Sequence, residues 1–118
     1  MAKKKEEAIS ERLRNPLGMF DVAGQTAIIT GASGAFGRGI SLTLGALGAN
    51  LVLASGSEKE LEKVANEVAE VGGKAETIVC RPDSLEDAKS ICDLALSEFG
   101  SINMLAIGSG YNKAGFIH

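Results

Sequence analysis

The sequence has no tryptophan, one tyrosine, two prolines, two cysteines and one histidine in 118 residues. Each scarcity excludes something. Cys80 and Cys92 cannot make the framework of a disulfide-stapled domain, and with a lone histidine they make no metal set. Both are expected to be small buried thiols, because Cys80 ends a predicted strand and Cys92 falls on the apolar stripe of a predicted helix. His118 reads as a chain end, not a ligand. Basic excess is missing too: 12 Lys and Arg against 15 Asp and Glu give a net charge of −3. That leaves no electrostatic footprint for nucleic acid and no polybasic membrane anchor. No apolar run reaches the length of a membrane span. A secretory signal is not visible, since Glu6 and Glu7 follow Lys3-Lys4-Lys5 where an apolar stretch should begin. The expected compartment is the cytoplasm, with neither nucleic acid nor membrane as a partner.

What the chain has is glycine, 15 residues of it, in a composition that is 45% hydrophobic. That share is about double the average and points to tight turns and close backbone approaches. Residues 1–18 read as a charged extension, in which Glu6 to Arg14 has the pattern of a short helix that Asn15-Pro16 would stop. Residues 19–118 read as one α/β domain. Thr26 to Thr30 is a buried strand, and Phe36, Ile40, Leu44 and Leu47 then repeat at helical spacing. Gly39, Gly45 and Ala46 are small enough to let that helix approach a sheet. Asn50 to Ala54 is a second strand. Ser57 and Glu60 form a capping-box pattern at the start of a helix bearing Leu61, Val64, Ala65 and Val68, which Gly72-Gly73 ends. A third strand is predicted over Glu76 to Cys80. Leu85, Ala88, Cys92, Ala95 and Phe99 form the next helical stripe, closed by Gly100. Ile102 to Ile107 is a fourth strand, and Gly108 to His118 is a glycine-rich loop. The order βαβαβαβ with continuous apolar strands predicts a parallel sheet covered by helices.

The most informative segment is Thr30-Gly31-Ala32-Ser33-Gly34-Ala35-Phe36-Gly37. Its glycines stand between the first strand and the first long helix, where each has a physical task. Gly31 permits the sharp turn, Gly34 leaves room for a pyrophosphate, and Gly37 lets the helix pack on the strand. The helix start offers amide donors and a positive dipole end to phosphates, and Ser33 could add a hydroxyl. A glycine pattern alone is weak evidence, but within a βαβ unit it is strong. No Gly-Lys-Ser/Thr follows, so the segment is not a nucleoside-triphosphate P-loop. The fold expected is therefore α/β of the Rossmann type, a partial doubly wound parallel sheet in strand order 3-2-1-4.

The run from Phe20 to Gly31 resembles the opening of the short-chain dehydrogenase/reductase family, including its 3-oxoacyl-carrier-protein reductase and gluconate dehydrogenase types. The resemblance extends to about Gly110, through Gly48-Ala49 before the second strand, Asp83 after the third, and Phe99 to Leu105. It corresponds to the N-terminal, cofactor-binding half of that family. It implies an NAD(P)-dependent oxidoreductase that moves hydride between the dinucleotide and a small alcohol or carbonyl substrate, and a homo-oligomer at full length. By the same resemblance, Gly31, Ser33, Gly34, Ala35, Phe36 and Gly37 would hold the pyrophosphate. Asp83 would bind the adenine amine with the Ser84 backbone beside it, and the backbone of Gly108, Ser109 and Gly110 would contact the ribose. The independent reading of Asp83 is an acidic residue favoured at a helix start.

Two departures stand out. Ala35 occupies a position where the family carries glycine, so the spacing matches the extended, nucleotide-sugar-epimerase branch. The family's Asn-Asn-Ala-Gly after the fourth strand is here Ile107-Gly108-Ser109-Gly110. Cofactor choice is open, since an acid at the end of the second strand favours NAD and a nearby arginine favours NADP. This chain has Ser55-Gly56-Ser57, and hydroxyls such as that of Ser55 suit either, while Lys59 stands at the start of the following helix. The family's catalytic Tyr-x-x-x-Lys pair and its serine are absent. Tyr111 is followed by Lys113 at the wrong spacing, so no catalytic residue is assigned. The expectation is a domain cut after its fourth strand, with exposed apolar surface prone to association. A nucleotide-sugar epimerase or reductase and a non-catalytic nucleotide-binding module are the competing functions.

Overall fold

The computed structural model describes residues 13–108. The charged residues 1–12 and, at the other end, Ser109, Gly110, Tyr111, Lys113 and His118 lie outside the described residues. Leu13 and Arg14 are helical, and Asn15 leaves the helical region at φ −128°, ψ 70°, ahead of a 3-10 turn over Pro16–Phe20. The proline restricts Asn15 in the manner its ring predicts.

The elements that follow are β1 (Thr26–Thr30), α1 (Ala35–Ala46), β2 (Asn50–Ser55), α2 (Glu58–Glu70), β3 (Lys74–Val79), α3 (Leu85–Phe99) and β4 (Met104–Ile107). The strands form a parallel sheet in the order β3-β2-β1-β4, as the sequence predicts. β1 is wholly buried, and in β2 only Asn50 is not. Their continuous apolar character follows from lying between two layers. On one face Ala27, Ile29, Leu51 and Leu53 pack with Leu61, Val64 and Val68, beneath α1 and α2. On the other, Ile28, Val52 and Ala54 pack with Ile91 and Ala95 of α3. Only α3 covers that second face among the described residues. Toward β4 it leaves an apolar hollow of about 480 Å³, at which Leu105 and Ile107 remain exposed.

Several strand and helix details differ from the sequence expectation. β3 starts two residues before Glu76, because its register with β2 begins at Lys74↔Asn50, and Cys80 lies just past its end. β4 starts at Met104, not Ile102. Asn103 brackets the strand start instead: its backbone N–H donates to Thr26 O at 2.9 Å, and its Oδ1 accepts from Thr26 N at 2.8 Å. The face of α1 is also different. Gly37, Ser41 and Gly45 are the buried residues, whereas Phe36, Gly39, Ala46 and Leu47 are exposed. The helix sits so close to the sheet that only small residues fit beneath it, and the larger Ile40 and Leu44 pack at the sides. Ser41 tolerates burial because its hydroxyl donates to Gly37 O at 2.6 Å. On α3, Leu85 is 86% exposed, and Ile91, absent from the predicted stripe, is buried.

The capping box at Ser57 does not form. Ser57 occupies the N-cap of α2 without a side-chain cap bond, and its own N–H donates to Ser55 Oγ at 3.3 Å instead of meeting Glu60. Its ψ of 105° departs from the 165° of Ser84, whose Oγ does accept from Asp87 N in the first turn of α3. Gly100 closes α3 in the left-handed conformation at φ 77°, which glycine adopts without a Cβ penalty. Arg38 of α1 pairs with Glu67 of α2. That hydrogen bond holds the Glu67 carboxyl below the ordinary carboxylate range, against an opposing effect of burial.

Candidate functional site

β1, β2 and β4 deliver their last residues to one edge of the sheet, and the loop after β3 joins them there. Gly31, Ser33, Gly34, Ser55, Gly56, Cys80, Arg81, Pro82, Asp83 and Gly108 line the resulting cleft of about 550 Å³. Its volume suits a small-molecule or cofactor site. Because β1 has β2 on one side and β4 on the other, the connections leave in opposite directions here. Ligands of open α/β sheets bind at such a point, outside the carboxyl ends of the strands.

The loop is shaped by its backbone. Gly31 turns out of β1 at φ 62°, a conformation glycine takes without strain. Ala32 is fully buried, and its N–H donates to Ala54 O at 3.1 Å, fixing the loop to the end of β2. Gly34 is the N-cap of α1 and Ala35 its first residue. A glycine cap brings no side chain, so the first-turn amides have no side-chain acceptor. They carry the partial positive charge of the helix start toward the cleft. Gly37 lies buried beneath the loop, where a Cβ would overlap Gly31 O and come within 2.7 Å of Ala32 Cα. The glycine is thus required for helix packing, as its position in the motif implies.

Ser33 and Ser55 join their hydroxyls at 2.5 Å, which ties the loop to the end of β2. Gly108 continues β4, its N–H donating to Thr30 O at 2.9 Å. Of the residues singled out in the sequence, Gly31, Ser33, Gly34, Ser55, Asp83 and Gly108 come together at the cleft. Phe36 is 81% exposed and does not line it. Ser84 is occupied as the cap of α3. Ser109 and Gly110 fall outside the described residues.

Gly56, Cys80, Arg81 and Pro82 are cleft residues that the sequence reading does not select. A signal for them exists in the topology. β2 and β3 are parallel and paired up to Ser55↔Val79, and Cys80 N donates to Ser55 O at 2.9 Å. Residues just after β3 must therefore lie beside those just after β2. Cys80 is only half-buried, as is Cys92, so neither is the fully buried thiol expected. Burial nevertheless pushes the Cys80 thiol above its ordinary range, and the Asp87 and Asp83 carboxylates add to the shift. Its Sγ–H faces Arg81 O at 3.6 Å. A thiol held protonated in this way is a poor nucleophile. Among the described residues no group of His, Cys, Asp and Glu is arranged to hold a metal ion. No helix among them is long and apolar enough to cross a membrane.

Comparisons with known proteins agree with this geometry. The family model described as short chain dehydrogenase matches residues 25–118. An uncharacterized oxidoreductase of Mycobacterium tuberculosis is 34% identical over 108 residues, covering 91% of this chain and 39% of that protein. Among solved structures, NAD+-bound xylitol dehydrogenase is similar over 80% of this chain and 35% of its own, with 30% identity and a TM-score of 0.68. A metagenomic short-chain oxidoreductase in complex with NADP is similar over 72% of this chain and 38% of its own, with 32% identity and a TM-score of 0.67. The chain spans less than two-fifths of the length of each of these proteins.

Proposed function

This chain belongs to the short-chain dehydrogenase family, and from that premise we propose that its cleft binds the dinucleotide of an NAD(P)-dependent oxidoreductase acting on an alcohol or carbonyl. The observation that carries the reading is the juxtaposition of a Gly31–Gly37 turn, a helix start without a side-chain cap, and the ends of β1, β2 and β4 in one cleft. When bound, the dinucleotide supplies the hydride chemistry. The chain's own residues hold and orient it. The first-turn amides of α1 and the Ser33 hydroxyl would hold the pyrophosphate, with Gly34 leaving space for it. Ser55 and Gly56 would border the adenosine ribose, Asp83 would meet the adenine, and the Gly108 backbone would contact a cofactor ribose. The NAD+ and NADP held by the two solved neighbours support a dinucleotide as the ligand. Xylitol dehydrogenase, named for an alcohol, supports the substrate class. No catalytic residue is assigned among residues 13–108.

Calorimetric titration of the chain with NAD+, NADH, NADP+ and NADPH tests this directly. The expected outcome is saturable binding of at least one form at one site per chain. A chain that melts cooperatively yet binds none of the four would overturn the reading.

A further inference from the structure

We propose that Arg81 selects NADP(H) over NAD(H), supplying from the end of β3 the cation that receives the ribose 2′-phosphate. The inference rests on the dinucleotide reading of the cleft. In dinucleotide-binding folds the residues after the second strand face the adenosine ribose. An acid there accepts from the 2′-hydroxyl, whereas a nearby arginine accommodates the 2′-phosphate. Here that position is Ser55-Gly56-Ser57, without a carboxylate. The cation comes instead from the neighbouring strand. The register of β2 with β3 sets Cys80 beside Ser55, and Arg81 then reaches across Gly56. A Cβ at Gly56 would overlap Arg81 Nε and stand 3.2 Å from its Cγ and Cδ. The missing side chain at Gly56 is thus what lets the guanidinium lie at the end of β2.

Among the described residues nothing uses that guanidinium. Arg38–Glu67 is the only ion pair among the described residues, and no hydrogen bond from the Arg81 side chain occurs among them. Asp83 shares the cleft, but only its backbone is engaged with Arg81, donating to the carbonyl at 2.7 Å. An exposed guanidinium with its donors free, next to the Ser33–Ser55 hydroxyl pair, suits a phosphate dianion by shape and by charge. A ribose 2′-hydroxyl offers it far less.

Titrations with NADP+ and NAD+, and with 2′,5′-ADP and 5′-AMP as probes that differ in the 2′-phosphate, measure the selection. The expected preference for the phosphorylated member of each pair is about tenfold or more, the size of a charge-assisted hydrogen bond. Arg81→Ala and Arg81→Gln should bring each pair close to parity by weakening NADP+ and 2′,5′-ADP, with NAD+ and 5′-AMP little changed. Lys59→Ala, at the first turn of α2, should leave the preference intact. Equal or tighter binding of NAD+ by the unaltered chain would overturn the assignment. So would an Arg81 variant that weakens both members alike, which would place the side chain on the adenosine common to them. A preference abolished by Lys59→Ala and not by Arg81→Ala would also overturn it. Failure of a folded chain to bind any of the four would overturn the dinucleotide reading itself, and the selection with it.

Discussion

Replacing Gly37 by alanine is expected to destabilise the protein by about 3 kcal/mol and to abolish dinucleotide binding, while Gly39→Ala in the same helix stabilises it. A Cβ at Gly37 would overlap Gly31 O and sit 2.7 Å from Ala32 Cα, so backbone, not a flexible side chain, must move. Overpacking of this kind costs roughly 1–3 kcal/mol and sometimes more. The atoms displaced are also those of the Gly31 turn, so α1 can stay in place only if the cleft changes shape. At Gly39 a Cβ meets nothing within 4 Å, and the residue is exposed. There alanine only reduces the conformational freedom of the unfolded chain, a gain of about 0.5–1 kcal/mol. Urea denaturation of the two variants, with binding measured in parallel, checks the opposite signs. Equal effects at both positions would mean that α1 does not make its close approach at Gly37.

Leu53→Ala is the second large effect, an expected loss of roughly 2–5 kcal/mol. Leu53 is fully buried in β2, paired with Ile29 on one side and Thr77 on the other, and packed in the cluster that includes Leu61, Val64 and Val68. Truncation removes apolar contact and leaves a cavity between sheet and helices that neither layer can collapse to fill. Against a typical total of about 5–15 kcal/mol, such a loss threatens the folded state itself. Leu85→Ala, at a side chain 86% exposed, should fall within about 0.5 kcal/mol of the parent. Denaturant midpoints with unchanged slopes would report both. A Leu53 variant as stable as the Leu85 variant would contradict the placement of β2 at the centre of the core.

This pair of leucines marks where the sequence could be read and where it could not. Hydrophobic runs bounded by glycine showed where the strands lie, and βαβ order showed the sheet and its 3-2-1-4 arrangement. Helix faces were harder. Apolar periodicity placed Phe36, Leu47 and Leu85 inward, yet α1 packs through Gly37, Ser41 and Gly45. A helix drawn tightly onto a sheet buries small residues, and its larger apolar side chains flank the contact. Ser41 satisfies its own hydroxyl within the helix, so hydropathy gives no hint of its burial. The cleft was legible through its glycines, Ser33, Ser55 and Asp83, which lie at or within a few residues of strand ends. Arg81 was not, because the 24 residues between it and Gly56 hide a contact that only strand pairing makes. The same pairing brought Cys80 to the cleft.

Cys80 therefore offers the most direct measurement of the central claim, that a dinucleotide occupies this cleft. The two cysteines serve as reporter and internal control, since Cys80 lines the cleft and Cys92 lines the apolar hollow beside α3. With its thiol held above the ordinary range, Cys80 should alkylate slowly near neutrality and faster above about pH 8.5, where a free cysteine is already ionised. Alkylation with iodoacetamide under the faster condition, read by peptide mass spectrometry, should slow several-fold at Cys80 when saturating dinucleotide is added. The rate at Cys92 should not change. An unchanged Cys80 rate under saturating dinucleotide would contradict the account.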